Sequence, residues 1–298
     1  MVRQYKIHTN LDGTDDKVWD VTNGKVRFYQ PSNLGLQSTN NIWQSNGIGV
    51  MGTRSITQPQ IEFKLETFGE SLEENYRLMK DFINDILNQK FVTLEYQTEI
   101  FQVYADLALA DVTKTEGYGK NGTFSEKITF DIITKWYTYE NLTFDMVQNG
   151  KVLSGKSKIY GGTAPGYSKY VKGTSYTYYG ETNIERLSRW DIKDEIFSFM
   201  GILYPKLPKT PTGVRFLDDI GNEYTAIVFK AEQVQDYILI NTDVNDETYQ
   251  GWKGTTALNL FPVMDFERYR TRIIKKGQME LINLSKAEFK IKRKADFV

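Results

Sequence analysis

Apolar and polar residues alternate along much of this 298-residue chain, the two-residue period of strands that bury one face. Ile61, Phe63 and Leu65 interleave with Glu62, Lys64 and Glu66, and Ile128, Phe130 and Ile132 repeat the pattern. VRQYKI, KVWDV and KVRFY near the start, and Phe91 to Tyr96, read the same way. One stretch breaks the period. In SLEENYRLMKDFINDILNQK, Leu72, Tyr76, Met79, Ile83 and Ile86 recur at spacings of four and three, with Phe82 and Leu87 widening the stripe, which predicts one amphipathic helix. Ser71 and Glu74 form a capping box, and Glu73 adds the negative charge that a first turn favours. In a β-rich domain such a lone helix covers an open sheet face.

Residues 47–60, GIGVMGTRSITQPQ, read as a long loop or a β-hairpin extension. GIGVMG has the spacing G-x-G-x-x-G, but no helix follows it and no βαβ rhythm surrounds it, so it is not a phosphate cradle. Beyond residue 139 the runs Val214 to Leu217, Tyr224 to Phe229, Tyr237 to Ile240, Met279 to Leu284 and Phe289 to Ile291 are separated by the turn signals DDIGN, NTDVND and KKG. Regular short strands with such turns predict an antiparallel sandwich. YPKLPKTPTG is a connection, since Pro205, Pro208 and Pro211 cannot donate to a central ladder. The expected organisation is a domain over 1–138 and a second over 139–298.

Residues 159–180, IYGGTAPGYSKYVKGTSYTYYG, hold six tyrosines and five glycines, inside a run without an acidic residue from Met146 to Gly180. Tyrosine joins a large apolar ring to a polar tip at low rotamer cost, and glycine lets the backbone follow irregular paths. The segment reads as a contact surface for a partner or as a hairpin packed on its own domain.

Composition narrows the chemistry. With no cysteine, disulfides, thiolate metal sites and cysteine nucleophiles are excluded. His8 is the one histidine, which removes Ser-His-Asp and His-based zinc sites. Acid pairs for a glycosidase would come from Asp218 and Asp219, Asp191 with Asp194 and Glu195, or Asp243 with Asp246 and Glu247. Adjacent acids in DDIGN are what a tight turn prefers. Asp243, Asn245 and Glu247 copy the opening of a calcium loop, but Thr248 and Gly254 stand where an EF-hand needs Gly and Glu. No cofactor is expected. No run of 18 apolar residues exists, and MVRQYKIHTN lacks the apolar region of a signal peptide.

The net charge of −1 is unevenly divided: residues 1–150 carry 14 basic and 20 acidic side chains, residues 151–298 carry 23 and 18. An acidic half suits a surface past which DNA slides without sticking, although chance imbalance is the simpler account. Arg268, Arg270 and Arg272, then Lys275 and Lys276, and later Lys290, Lys292, Arg293 and Lys294 alternate with apolar residues. They read as charges on a strand's outer face, solvated or guarding an edge.

In the order of its elements the whole chain resembles the distal tail proteins of siphophages, above all the type found in lactococcal phage baseplates. The helix SLEENYRLMKDFINDILNQK within an N-terminal β-domain is followed by TPTGVRFLDDIGNEYTAIVF, QDYILINTDVND and KKGQMELINL in the order of a galectin-like jelly roll. The resemblance implies a mainly β protein with a sandwich or barrel-like N-terminal domain carrying one packed helix. It implies a galectin-like C-terminal domain bearing an extended arm at about 147–182. It further implies a structural virion protein, not an enzyme, that forms a homohexameric ring at the tail tip, assembled in the host cytoplasm. Such a ring sits between tail-tube and tail-tip proteins, with DNA passing through it unbound and no membrane contact. The arm would hold receptor-binding protein trimers, with Tyr160, Tyr167, Tyr170, Tyr176, Tyr178 and Tyr179 as contact residues. The alternative is a carbohydrate-binding module in which Tyr249, Trp252 and Trp190 stack on host cell-wall saccharide.

Overall fold

The computed structural model describes residues 3–295 except 14, 36, 58–59, 115–118, 120–121, 146, 149–150, 153–156, 159–174, 177–188 and 231–234. The chain divides into two compact units, Met1–Thr138 with Ala295–Val298, and Tyr139–Lys294.

The first unit runs β1 (Gln4–His8), β2 (Val18–Asp20), β3 (Val26–Ser32), β4 (Gln37–Ser45), β5 (Ile48–Thr57), β6 (Ile61–Thr67), α1 (Leu72–Leu87), β7 (Val92–Gln97), β8 (Gln102–Thr113), β9 (Ser125–Ile132) and the start of β10 (Tyr137–Asp145). Antiparallel pairing follows the order β2-β1-β7-β8-β9-β6-β3. The sheet curls until its ends meet, where the Phe28 N–H donates to the Val21 carbonyl at 2.7 Å. Alternation decides which side chains turn inward: Ile61, Phe63 and Leu65 are buried together with Ile7, Leu94, Leu107, Ile128 and Phe130.

The helix fills this curl, on a face rotated from the expected one. Phe82 and Ile86 are buried, with Leu78, Met79 and Ile83 packed on the same core, whereas Leu72, Tyr76 and Leu87 are exposed. The displaced position is taken by Asn75, fully buried, whose Oδ1 accepts the Gly69 N–H at 2.6 Å. An apolar count cannot find a buried asparagine whose amide is consumed by the backbone. The cap differs in one bond. Ser71 Oγ accepts the Glu74 N–H at 3.2 Å, but the Glu74 carboxylate reaches back to the N–H of Glu70, at 2.7 Å, one residue beyond the position a capping box uses.

The second unit continues through β11 (Val147–Gln148), β12 (Lys151–Val152), β13 (Ser157–Lys158), β14 (Ser175–Tyr176), β15 (Arg189–Ile192), β16 (Ile196–Pro205), β17 (Thr212–Leu217), β18 (Glu223–Phe229), β19 (Tyr237–Asn241), β20 (Thr248–Lys253), β21 (Thr256–Asn259), β22 (Gly277–Ile282) and β23 (Leu284–Lys294). One sheet is β23-β16-β19-β20-β21, the other β15-β22-β17-β18. Phe199, Leu203, Ile238, Ile240, Phe289 and Ile291 from the first meet Val214, Phe216, Ile227, Met279 and Leu281 from the second in one core, which makes this unit a sandwich. Met279 to Leu284, a single run by composition, is broken at Asn283 (φ 52), where the chain leaves one sheet for the other. Pro205 closes β16 as its last residue, and the connection proper begins after it.

Candidate interaction surface

The first unit carries a long hairpin whose base and tip belong to different sheets. Near the base, β3 and β6 pair inside the curled sheet and bury Val26, Phe28, Phe63 and Leu65. A register shift between Tyr29 and Ser32, with positive φ at Gln30 (47), interrupts that pairing, which ends at Ser32 opposite Glu62; past Asn33 (φ 61) lies the separate two-stranded ribbon β4–β5. Ser45 pairs with Ile48 across Asn46 and Gly47, whose φ values of 52 and 79 are those of a two-residue I′ turn.

The ribbon's surface chemistry is unusual for solvent. Cross-strand pairing sets Trp43 opposite Val50 and Ser45 opposite Ile48, so Trp43, Ile48 and Val50 share one face. They are 70%, 70% and 64% exposed. Ile42 and Met51, also opposite one another, expose about half of their surface on the other face. The one charged residue between positions 31 and 60 is Arg54, whose Nε donates to Asn40 Oδ1 at 2.9 Å. Apolar side chains on both faces with almost no charge mark an interaction surface. A lone two-stranded ribbon is moreover marginal in water. Of residues 47–60, Gly47 and β5 (Ile48–Thr57) thus belong to a hairpin extension.

The candidate arm tyrosines are placed less fully. Tyr160, Tyr167, Tyr170, Tyr178 and Tyr179 lie outside the described residues. Tyr176 belongs to β14, where its backbone pairs with Lys158 in parallel.

The three aromatics weighed for saccharide stacking have different fates. Tyr249 is buried, its hydroxyl donating to Glu247 Oε1 at 2.8 Å, and burial first, then the neighbouring tyrosine and carboxylate, push its pKa up. Trp190 packs on the sandwich core. Trp252 stands on the outer face, its ring parallel to that of Tyr237 at 6.1 Å, with Tyr204 6.3 Å further along and Lys286 above Tyr204. The sequence reading missed Tyr204 and Tyr237, because neither is adjacent to Trp252 except through strand pairing.

The acid and base clusters are largely spent on structure. Asp218 Oδ1 accepts the N–H groups of Ile220 and Asn222, as its turn requires. Asp243 pairs with buried Lys292 at 2.9 Å, and Glu247 with Arg272 at 2.6 Å. Among the described residues no three His, Asp or Glu side chains group as metal ligands. Arg268, Arg270 and Arg272 are not on a strand: Asp265 opens a turn that accepts the Arg268 and Tyr269 N–H groups, and Arg268 makes a two-pronged pair with Glu223. The period-two spacing of these arginines was therefore misleading. Lys290, Lys292 and Arg293 do lie on β23, where Lys290 covers the Tyr139 ring and Arg293 pairs with Glu140, but Lys292 is buried and not on an outer face. Among the described residues no helix is long and apolar enough to cross a membrane.

Comparison with known proteins places this architecture. Residues 4–133 match the family model for the distal tail protein N-terminal domain, and residues 135–298 match that for the Dit C-terminal domain. The distal tail proteins of Lactococcus phages p2 and SK1 are 94% and 90% identical over 298 residues, the full length of each. A chain of the phage P2 baseplate, solved in its activated conformation with Ca, superposes with a TM-score of 0.80 at 94% identity over the whole of both chains. The Dit protein of phage SPP1 superposes at 0.53 with 11% identity over 98% of this chain and 99% of its own, a likeness of fold alone.

Proposed function

The chain belongs to the distal tail protein family, and from that premise we propose that it is a structural subunit of a phage tail tip whose copies close into a hexameric hub ring through the β4–β5 ribbon. The observation that carries this reading is the ribbon itself: Trp43, Ile48 and Val50 exposed on one face of a nearly uncharged hairpin. Docked on a neighbouring copy, the ribbon gains the third strand or apolar cover that an isolated hairpin lacks. A head-to-tail contact of this kind closes into a ring when its rotation divides a full turn.

Relatives found in a phage baseplate support a place in the tail tip. The acidic excess of residues 1–150 suits a lumen that DNA traverses without being held. The segment at about 147–182, rich in tyrosine and free of acid to Gly180, is assigned to holding a receptor-binding protein.

Light scattering of the full chain and of the double variant Trp43→Asp, Val50→Asp tests the ring. The wild-type chain assembles at high concentration or with its tail-tip neighbours, and the variant stays monomeric with an unchanged circular dichroism spectrum. A variant that assembles normally removes the ribbon from the interface.

A second reading rests on the outer row of Tyr204, Tyr237 and Trp252, whose rings could take the apolar faces of a saccharide chain. Binding of cell-wall saccharide that is lost in Trp252→Ala, with assembly unaffected, is the result that would favour it.

A further inference from the structure

We infer that Asn46 at the ribbon tip is a site of spontaneous deamidation, and that this chemistry limits the lifetime of the unassembled chain's interaction surface. The reaction needs an asparagine followed by a residue without Cβ, whose backbone nitrogen is unbonded and free to approach the side chain. The chain has four Asn-Gly pairs, at 23–24, 46–47, 121–122 and 149–150. Asn121, Asn149 and Gly150 lie outside the described residues, which leaves two pairs to compare.

Both asparagines are exposed, and the two pairs differ at the glycine whose nitrogen must attack. At 23–24 the Gly24 N–H is held by the Asp20 carbonyl at 2.9 Å, and the Asn23 N–H by Asp20 Oδ1 at 2.8 Å. The guanidinium of Arg27 donates to the Gly24 carbonyl at 2.7 Å, and the glycine is so enclosed that a Cβ there would lie 2.3 Å from the Asp20 oxygen. At 46–47 both residues are exposed, a Cβ on Gly47 would meet nothing within 4 Å, and the Gly47 N–H has no acceptor among the described residues. The turn's left-handed backbone must open for attack, and the surrounding ribbon, two strands with little burial, is the kind of element that opens locally at low cost.

In the step itself, solvent base removes the Gly47 amide proton and the nitrogen attacks Asn46 Cγ. The new C–N bond closes a five-membered imide, and the side-chain amide leaves as ammonia. Water then opens the imide at one carbonyl or the other, leaving an aspartate or an isoaspartate. Either product places a negative charge beside Trp43, Ile48 and Val50, in a segment whose one charge is Arg54. The isoaspartate also adds a methylene to the backbone of a two-residue turn that sets the register of the ribbon, and a one-residue slip carries every side chain to the opposite face.

The protective role of assembly rests on the ring proposal, so the experiment has two arms. Full-length monomer is aged in mildly alkaline buffer and mapped by peptide mass spectrometry. The Asn46 peptide should gain deamidated product about tenfold or more faster than the Asn23 peptide, the factor that one held hydrogen bond makes to local opening. Equal rates, or a slower Asn46, overturn the inference whatever the oligomeric state. Aging of the assembled form is the second arm: suppression at Asn46 is expected if the ribbon is covered, and unsuppressed reaction there counts against the ring contact and leaves the monomer result standing.

Discussion

Asn283 donates from Nδ2 to Thr212 Oγ1 at 2.8 Å, and this buried contact joins the residue that follows β22 to the residue that begins β17. The same amide donates to the carbonyls of Leu207 at 2.9 Å and Thr210 at 3.3 Å and accepts the Leu207 N–H at 3.0 Å. Asn283 thereby ties down the 206–211 connection at the point where the chain crosses the sandwich. Its positive φ makes asparagine one of the few residues that serve.

Replacing it separates these duties. Asn283→Ala loses the hydrogen bonds and strains the backbone, and should lower unfolding stability by about 2–4 kcal/mol. Asn283→Gly restores the backbone alone and should recover roughly 1 kcal/mol of that loss. Urea denaturation of the two variants is the check, and an alanine no worse than the glycine would contradict the backbone argument.

The helix offers a sharper contrast between pattern and packing. Phe82, fully buried against Trp19 and Phe28, should cost about 3–5 kcal/mol as alanine. Tyr76, 61% exposed, should cost less than about 1 kcal/mol, while Asn75→Ala should cost about 1–3 kcal/mol by leaving the Gly69 amide unsatisfied. Thermal unfolding followed by tryptophan fluorescence ranks the three. Tyr76 costing more than Asn75 would return the helix to the face its apolar spacing predicts.

Acid should act on the first unit through Glu95. Burial alone pushes this carboxyl up, but hydrogen bonds from Lys6 at 2.9 Å and from His8 at 3.0 Å outweigh it and hold the pKa below the ordinary value. A depressed folded pKa means that the unfolded chain binds the proton first, so the contribution is full above about pH 4.3 and is lost as pH falls through the lower folded value. Stability measured from neutral pH downward should fall over that range, and Glu95→Gln should remove part of the slope. An identical slope in the variant would assign acid sensitivity to other carboxylates.

Deletion of residues 147–182 should leave both units folded, since the core residues among those described lie outside that segment. The receptor-binding protein should no longer co-purify with the shortened chain, while ring assembly persists. Lost assembly with retained partner binding would reverse the assignment and move the partner surface elsewhere.

Much of this molecule follows from local pattern. Alternation at Ile61, Phe63 and Leu65 placed a strand with a buried face, Ser71 placed the start of the helix, and Asp218 with Gly221 placed a tight turn, because each depends on neighbours in sequence. The absence of cysteine and the single histidine restricted the chemistry without any structure. What depends on distant residues was invisible. Asn75 is buried because Gly69 needs its amide, the strand at Met279 ends where Asn283 meets Thr212, and Arg268 turns toward Glu223 in place of solvent. Trp43, Ile48 and Val50 look like ordinary strand residues until pairing puts them on one uncovered face. Hydrophobic periodicity reports which side chains could be buried together. Only the tertiary arrangement decides which of them find cover within the chain and which are left for a partner.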